Sequence, residues 1–357
     1  MQATLFIGRL AGGGGEKVLA MIANHLVSNG WEVDIVTLLE NEVDREQLHL
    51  DSRINTIDIH PNHRKSYSQN VPYWLRNIRR TINSRKPDIV LSFFGRINAL
   101  VLTSTIGMNV PIVVSERNDP KRDRRGWFML KYCDFVYRRA TAIVFQTKYE
   151  QSCFSAVHAS RSHIIYNPLD IVEVKNGPVE RNLIVSVGRL ERQKNQQMLI
   201  NAVEKVRKRV PDVRCELYGE GALRDELQQT IDRLGLQNKV LLAGEKSNVL
   251  EYVTKSRAFV MTSDYEGLSN AQMEAMMMGK ICVSTDYQGV DELITDGENG
   301  VIVPRNDVSR LADVLTEILL DEEGKYDEMG RNARKRIQAF NSSIIMGQWN
   351  QLLQSNI

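Results

Sequence analysis

The chain has 357 residues, of which 42% are hydrophobic and 25% charged; this is enough for two domains, and the composition excludes a disordered or low-complexity protein. Its formal net charge is +2, and its four cysteines form no C-x-x-C pair, which argues against a zinc site or a disulfide framework and favours the cytoplasm. No signal sequence is expected, and no apolar run approaches the roughly 18 residues of a membrane span.

The first half of the chain alternates short apolar runs with helical patterns. The runs are ATLFI, WEVDIVTL, IVLSFF, IVVSE, AIVFQT and HIIYN. After the first run, Val18, Leu19, Ile22 and Leu26 recur at helical spacing, and Gly30 stands where a left-handed residue would end the helix. This β-α-β alternation predicts a parallel sheet covered by helices.

The segment GRLAGGGGEK, Gly8 to Lys17, leads from the first predicted strand into the first predicted helix. Four successive glycines remove every β-carbon, so that backbone N–H groups and the helix amino terminus can face an anion. We therefore predict a phosphate site; the alternative is a flexible turn that only connects. A dinucleotide motif is disfavoured, because no register satisfies G-x-G-x-x-G, and no G-K-[ST] follows.

Residues 61–140 carry sixteen Lys and Arg against five Asp and Glu. Most of this excess lies in Tyr73–Lys86 and Lys121–Arg139, where basic residues alternate with Trp, Phe and Tyr. One interpretation is a solvated basic face. Another is a surface for anionic lipid or a pyrophosphate-bearing acceptor, which would bring the protein to the inner face of the cell membrane. Nucleic acid is disfavoured, because no recognised binding motif accompanies the charge.

The second half repeats the alternation with NLIVSVG, RCELYG, VLLAG, RAFVMTS, KICVSTD and GVIVP. Residues 167–182, NPLDIVEVKNGPVERN, are rich in turn formers and mark the hinge. We predict an α/β protein with two doubly wound, Rossmann-like domains, residues 1–172 and 173–340, facing each other across a cleft. Ligands are expected outside the carboxyl ends of the strands.

The segment VGRLERQKNQQ follows the first strand of the second predicted domain. Its Arg189 and Lys194 can reach into one cleft from a strand-to-helix turn and hold a diphosphate, Arg as a planar fork and Lys as a point charge. Either residue alone would more often be a surface charge. Their occurrence together at a strand end favours a phosphate-binding function.

The segment SDYEGLSNAQMEAMMMGK contains two glutamates, Glu266 in a turn and Glu274 in a short helix. The residues from Ser269 to Gln272 have the form of a capping box that begins this helix, and Gly279 ends it. The helix amino terminus suits a phosphate, whereas carboxylates accept hydrogen bonds from hydroxyls. A diphosphate with a ribose and a sugar on its two sides is therefore expected. The four methionines Met273, Met276, Met277 and Met278 are assigned to the core.

Together these motifs resemble the retaining glycosyltransferases of family 4, which have the two-domain GT-B fold. The resemblance rests on the E-x7-E pair within EGLSNAQMEAM, on VGRL followed by KN, and on GGGEK, and it covers essentially the whole chain. It implies transfer of a hexose or N-acetylhexosamine from a UDP-sugar to a polyprenyl-diphosphate-linked glycan, or to a capsule or O-antigen repeat.

The resemblance also implies roles for single residues. Glu274 would bind the ribose, Glu266 the donor sugar, and Arg189 and Lys194 the diphosphate, so that Arg189, Lys194 and Glu266 form the expected catalytic set. The uracil would lie near residues 245–249. The other expected donor-binding residues are Gly14, Gly15, Glu16, Gly188, Val249, Gly267, Leu268, Ser269 and Asn270.

The first domain would hold the acceptor, with Arg117 and Asn118 where many members carry a histidine. Residues 341–357 would form a helix that crosses back to this domain. No D-x-D motif occurs, which favours a metal-independent, front-face reaction in which the leaving phosphate oxygen takes the acceptor's proton. Two alternatives stay open: a non-catalytic nucleotide-sugar-binding subunit, and an epimerase of similar architecture, for which we see no acid and base pair.

Overall fold

The described part of the chain contains thirteen strands in two parallel sheets, with helices between most successive strands. The computed structural model describes residues 1–10, 12–39, 45–61, 66–122, 126–171 and 178–357. These residues divide into two compact units, Met1–Pro168 with Ser342–Ile357, and Leu169–Asn341. The boundary predicted after residue 172 falls at residues 172–177, outside the described residues.

The first unit is built on seven parallel strands. Their sheet order is 3-2-1-4-5-6-7, so that the first and fourth strands are neighbours at the point where the order reverses. The strands are β1 (Gln2–Ile7), β2 (Glu32–Thr37), β3 (Asn55–Asp58), β4 (Ile89–Phe93), β5 (Ile112–Ser115), β6 (Ala142–Phe145) and β7 (Ser162–Ile164). The helices are α1 (Gly14–Ser28), α2 (Tyr67–Arg85), α3 (Gly95–Ser104), α4 (Gly126–Val136), α5 (Lys148–Ser152) and α12 (Ser342–Gln354).

The second unit has six parallel strands in the order 10-9-8-11-12-13. The strands are β8 (Glu180–Val187), β9 (Arg214–Tyr218), β10 (Val240–Gly244), β11 (Ser256–Met261), β12 (Ile281–Thr285) and β13 (Val301–Val303). The helices are α6 (Gln196–Val206), α7 (Arg224–Arg233), α8 (Val249–Lys255), α9 (Asn270–Met277), α10 (Val308–Leu319) and α11 (Lys325–Ile337). The order reverses between β8 and β11, and ligands bind such sheets outside the strands at this point.

The predicted fold class, two doubly wound parallel sheets, is confirmed. The apolar residues predicted on one face of α1 are all buried, and Gly30 follows the helix with φ of 81°. Strand β3 escaped prediction because NTID is short, polar and at the sheet edge, so that it carries no apolar run.

Helix α12 completes the hydrophobic core of the first unit. Its Trp349 is fully buried, with its ring 6.1 Å from that of Phe93 on β4. The chain therefore leaves the first unit after Pro168 and re-enters it at Ser342. Within the described residues, no helix combines the length and apolar character needed to cross a bilayer.

Candidate active site

The loops that follow β8 and β11 are held together by hydrogen bonds between their residues. The N–H of Asp264 donates to the carbonyl of Gln193 at 2.8 Å, and the Gln193 side chain donates back to the Tyr265 carbonyl at 2.8 Å. The hydroxyl of Thr262 donates to the Lys194 carbonyl at 3.0 Å. Since β8 and β11 are neighbours, these bonds fix both loops at one edge of the sheet.

Lys194 and Glu266 form an ion pair in these loops. Lys194 Nζ lies 2.6 Å from Glu266 Oε1, and the Ser263 hydroxyl donates to the same oxygen at 2.6 Å. The side chains of Lys194 and Glu266 are only 17% and 9% exposed. Gly188 lies against the lysine stem: a β-carbon there would be 3.4 Å from Lys194 Cε, an ordinary van der Waals contact. The structure thus brings together two of the three predicted catalytic residues.

Arg189 lies in the same loop but extends into solvent. Its side chain is 67% exposed, and Nη1 pairs with Glu191 at 3.1 Å, while its carbonyl accepts a bond from Gln196. Exposed pairs of this kind contribute little to stability, so the guanidinium can change partner at small cost. The diphosphate clamp of Arg189 with Lys194 stays a prediction.

Two glycines that were not predicted as site residues pack directly against the loop after β8. Gly219 has φ of 133°, and a β-carbon there would lie 2.3 Å from the Gly188 carbonyl oxygen. A β-carbon at Gly221 would lie 2.4 Å from the Leu190 carbonyl oxygen. Any side chain at either position would displace the loop that carries Lys194. The available signal was YGEGA at the end of β9, a pair of glycines next to a strand end.

Helix α9 begins after Ser269 as predicted, but only the serine half of the predicted capping box forms, because the Gln272 side chain faces Tyr287 and does not bond back to the cap. The Ser269 hydroxyl caps it by accepting a bond from the Gln272 N–H at 3.4 Å, and Gly279 follows it with φ of 67°. Glu274 is half-buried in its second turn. All four methionines of this segment are buried, which confirms their assignment to the core, and so are Gly267, Leu268 and Ser269, while Asn270 is half-buried.

Tyr287 lies close to the Glu266 carboxylate. It is buried, its hydroxyl lies 3.4 Å from Gln272 Oε1, and burial followed by the nearby charge of Glu266 raises its pKa well above the usual value. Its phenol therefore stays protonated. Val249, near which the uracil was expected, is the first residue of α8, directly after the β10 loop, and is half-buried.

In the first unit, the glycine segment begins α1 as predicted. The Gly13 N–H donates to Glu16 Oε2 at 3.0 Å, so the Glu16 carboxylate caps the helix that contains Gly14 and Gly15. A β-carbon at Gly15 would lie 2.6 Å from the Phe94 ring, which follows the neighbouring strand β4. Packing against Phe94 therefore favours glycine at position 15, and its role toward phosphate stays a prediction.

Arg117 occupies the interior of the first unit. Its guanidinium lies 4.2 Å from the centre of the Phe93 ring and 5.4 Å from that of Trp349, and Nη1 donates to Asn167 Oδ1 at 3.0 Å. Burial lowers its pKa to about 9. Asn118 is half-buried and accepts a bond from the next backbone N–H. Arg117 therefore faces protein groups, and a role toward the acceptor stays a prediction.

Glu150, a buried acid, lies near Arg117. Glu150 accepts a bond from the Gln146 N–H at 2.7 Å through one oxygen, while its Oε1 is buried without a hydrogen-bond partner. Burial raises the pKa of Glu150 well above its usual value, and the charges of Glu116 and Asp119 act in the same direction. The described residues contain no cluster of three or more His, Cys, Asp or Glu side chains arranged to hold a metal.

Family models match both halves of the chain. The model described as Glycosyltransferase Family 4 matches residues 12–173, and the model described as Glycosyl transferases group 1 matches residues 170–336. The chain belongs to the family 4 glycosyltransferases. The candidate site of this glycosyltransferase, around Lys194 and Glu266, lies within the group 1 match.

Two curated relatives of this glycosyltransferase come from Campylobacter jejuni. One is named GalNAc-α-(1→4)-GalNAc-α-(1→3)-diNAcBac-PP-undecaprenol α-1,4-N-acetyl-D-galactosaminyltransferase; it is 26% identical, with 99% of this chain and 98% of the relative covered. The other is named N-acetylgalactosamine-N,N'-diacetylbacillosaminyl-diphospho-undecaprenol 4-α-N-acetylgalactosaminyltransferase; it is also 26% identical, with 94% of each chain covered.

The fold is shared with a solved structure, that of HepE from Anabaena in complex with UDP and glucose. The TM-score is 0.84 at 21% identity, with 99% of this chain and 100% of HepE covered. At this identity the likeness establishes the fold, and it confirms the expected GT-B architecture of the glycosyltransferase.

Proposed function

We propose that this glycosyltransferase moves a hexose or an N-acetylhexosamine from a UDP-sugar to a glycan or a polyprenyl-diphosphate-linked acceptor in bacterial surface polysaccharide or glycoconjugate synthesis. The observation that carries the proposal is the Lys194–Glu266 pair at the carboxyl ends of β8 and β11, where a doubly wound sheet binds its ligand. The names of the Campylobacter relatives support the acceptor class, and the UDP complex of HepE supports the donor.

In this proposal the second unit binds the donor. Lys194 and Arg189 bind the diphosphate, Glu266 a hydroxyl of the sugar and Glu274 the ribose. The positive end of α9, which begins after Gly267, Leu268 and Ser269 at Asn270, adds a favourable field for the phosphates. The residues around Val249 receive the uracil. Gly14 and Gly15 keep their predicted role toward phosphate, with Glu16 as the cap of their helix.

The proposed reaction retains the anomeric configuration. The bond between the sugar C1 and the β-phosphate oxygen breaks, and the acceptor oxygen bonds to C1 on the same face. The acceptor's proton passes to the departing phosphate oxygen, so that UDP leaves with the proton and no protein nucleophile is needed. Lys194 and Arg189 stabilise the negative charge that develops on the phosphate. The anomeric configuration of the product, measured by NMR, tests retention: inversion would contradict it.

We also propose that transfer requires no metal ion, because two cationic side chains are available for the diphosphate. Activity should survive EDTA unchanged. Loss of activity on chelation, with recovery on adding Mg²⁺ or Mn²⁺, would overturn this part of the proposal.

A screen of UDP- and GDP-sugars tests the donor. The correct donor should raise the melting temperature by linkage and release its nucleotide when a lipid-diphosphate acceptor is added. Donor binding without acceptor-dependent release, across acceptors of the proposed class, would favour a non-catalytic binding subunit. Conversion of the free donor to its epimer would favour the epimerase. The catalytic proposal requires acceptor-dependent release with incorporation of the sugar into the acceptor.

We further propose that the protein is cytoplasmic and contacts the inner face of the cell membrane peripherally. The support is the excess of basic residues between positions 61 and 140 together with the lipid-linked acceptor named for the relatives.

A further inference from the structure

Helix α4 directs aromatic side chains into solvent. Trp127, Phe128 and Phe135 are 64%, 82% and 63% exposed. With Lys131 and Tyr132 they recur at spacings of one, four, five and eight residues, which places them within an arc of about 140° on one side of the helix. We call these five residues the outer face of α4. Large aromatic side chains concentrated on a solvent-exposed helix face indicate a binding surface.

The opposite side of α4 is already used for packing. Cys133 and Val136 are buried in the core beneath it, and Met129 and Leu130 pack against that core. The helix is therefore apolar on both sides, although one side suffices to attach it to the sheet. Of this outer face, Tyr132 hydrogen-bonds Thr103 of α3 at 2.7 Å, whereas the rings of Trp127, Phe128 and Phe135 remain largely exposed.

The ends and the middle of this surface are positively charged. Lys121, Arg122, Lys131, Arg138 and Arg139 are all exposed. The Arg138 guanidinium lies 5.9 Å from the centre of the Phe135 ring.

The acidic side chain in the described part of this segment does not offset that charge. Asp134 is half-buried, and it accepts hydrogen bonds from His158 and from the Ser155 N–H at 3.0 and 2.8 Å. Five exposed basic side chains thus outnumber this one acid, and the outer face is an apolar surface with a net positive charge around it.

A cavity of about 560 Å³ opens beside the helix. Trp127, Leu130 and Phe154 are among its apolar lining residues, and its charged lining residues are Lys121, Lys131 and Asp134, two cations against one acid. A phosphate attached to an apolar chain meets both requirements, since the cations pair with the phosphate and the walls cover the first methylenes.

The second basic aromatic stretch, in α2, lacks these properties. Trp74 is buried and donates its indole N–H to a backbone carbonyl at 2.9 Å. Arg79 donates to two backbone carbonyls, and Arg85 pairs with buried Asp34 at 2.7 Å. Among the side chains of α2 that the structure describes, Tyr73 is the exposed large apolar one. The two stretches look alike in sequence, but among their described side chains those of α4 combine charge with a larger exposed apolar surface.

We propose that the outer face of α4 inserts into the interface of an anionic phospholipid bilayer, with a lipid phosphate bound between Lys121 and Lys131. Tryptophan and tyrosine favour the headgroup level, and lysine and arginine are attracted to anionic lipids. A second copy of the chain fits less well, because two such faces would bring like charges together. This inference names the surface for the membrane contact proposed above, and it does not depend on the identity of the donor.

Tryptophan fluorescence gives a direct test on the whole protein. Three of the four tryptophans, Trp31, Trp74 and Trp349, are buried, so that Trp127 is the one exposed to solvent. Vesicles of phosphatidylcholine with phosphatidylglycerol should shift its emission to the blue and protect it from iodide. Vesicles of phosphatidylcholine alone should have a much smaller effect. In Trp127→Phe, co-sedimentation should persist while the spectral change disappears.

Variants separate the apolar and the charged contributions. Phe128→Ser with Phe135→Ser should weaken vesicle binding about 10-fold or more, because two inserted rings are lost. Lys121→Gln with Lys131→Gln should weaken binding to anionic vesicles about 30-fold, since each basic residue contributes about fivefold, and should reduce the effect of salt. All of these side chains are exposed, so melting temperatures should stay the same.

Two matched controls complete the experiment. Leu320→Ser removes an exposed apolar side chain of the second unit, and Arg76→Gln with Arg80→Gln removes two exposed charges of α2. Neither should change binding as much as the α4 variants do. Binding that the α4 variants leave intact but the α2 variant abolishes would overturn the proposal. So would vesicle binding that never alters Trp127, or a dimer that dissociates when Phe128 and Phe135 are replaced while vesicles remain unbound. Measuring UDP release from the donor in the presence of a soluble acceptor keeps failure here distinct from failure of the proposed transferase function.

Discussion

Lys194 Nζ and Glu266 Oε1 lie 2.6 Å apart in two loops that are separated by 72 residues of chain. The lysine thereby neutralises a carboxylate that is almost buried, while the Ser263 hydroxyl binds the same oxygen. The same pair therefore has a structural role before any ligand binds. A diphosphate that reaches this lysine has to share it with Glu266, so substitutions at either position affect both stability and donor binding.

Replacing Lys194 should affect both roles, and each effect can be measured on its own. We expect Lys194→Ala to reduce transfer by about 10² to 10³-fold or more, because a cation at the developing phosphate charge is lost. The free energy of unfolding should fall by about 2 kcal/mol, because Glu266 keeps only its bond from Ser263. UDP release and urea unfolding measure the two effects.

The matched variant for this experiment is Lys194→Met combined with Glu266→Gln, which removes both charges. It should regain most of the stability but none of the activity. Near-normal turnover in either variant would remove Lys194 from the proposed clamp.

Glu274→Gln should weaken donor binding. If its carboxylate accepts hydrogen bonds from the ribose, a neutral amide loses about 1.5 kcal/mol, which corresponds to about a 10-fold increase in the dissociation constant for UDP. The change in melting temperature on adding UDP should shrink accordingly. An unchanged UDP affinity would contradict the ribose role.

Gly15→Ala should disturb the turn between β1 and α1. The new β-carbon would lie 2.6 Å from the Phe94 ring, and Phe94 already has φ of 72°, so it has little freedom to move. We expect the free energy of unfolding to fall by about 1–3 kcal/mol. Phe94→Ala in the same chain should remove the clash.

Gly13→Ala in the same segment is the control for Gly15→Ala. There the nearest contact of the new β-carbon is 3.4 Å, to the Glu16 side chain, so the loss should be smaller. Equal losses at positions 13 and 15 would show that contact with Phe94 is not the reason for glycine at position 15.

Glu150→Gln should change how stability depends on pH. The pKa of Glu150 in the folded protein is raised well above 4.5, so the folded state holds a proton that the unfolded state has lost between the two values. The free energy of unfolding should therefore fall as pH rises through this window. The glutamine cannot titrate and still accepts the Gln146 N–H bond, so the variant should lose this part of the decline.

Urea unfolding at about pH 5 and about pH 8 measures the difference, for which we expect a relative gain of about 1 kcal/mol in the variant at the higher pH. The charged neighbours Glu116, Arg117 and Asp119 are the same in both proteins. Parallel stability curves for the variant and the original protein would contradict the raised pKa.

The sequence was sufficient to predict the sheets and the neighbourhood of Lys194 and Glu266. Buried parallel strands are continuous apolar runs, and the loops after them must meet at one edge, so two motifs far apart in the chain could be placed together. The cap of α9 and the glycine after it could be predicted because both depend on residues close in sequence.

The sequence could not predict which side of a helix packs when both sides contain apolar residues. The stretches around Trp74 and Trp127 have similar compositions, yet one tryptophan is buried and the other exposed, because the neighbours of each helix differ. The resemblance places Arg117 on the acceptor side, where many members carry a histidine; its position between Phe93 and Trp349 depends on a helix more than 200 residues further along the chain.

The position of α12 also has a consequence for biosynthesis. Because Trp349 fills the interior beneath β4, the amino-terminal half emerges from the ribosome before its own hydrophobic interior can be completed. Residues 169–341 form their unit without α12 and can fold first, although they are translated later. During elongation the strands of the first unit would therefore stay partly assembled and accessible to chaperones until α12 has been synthesised.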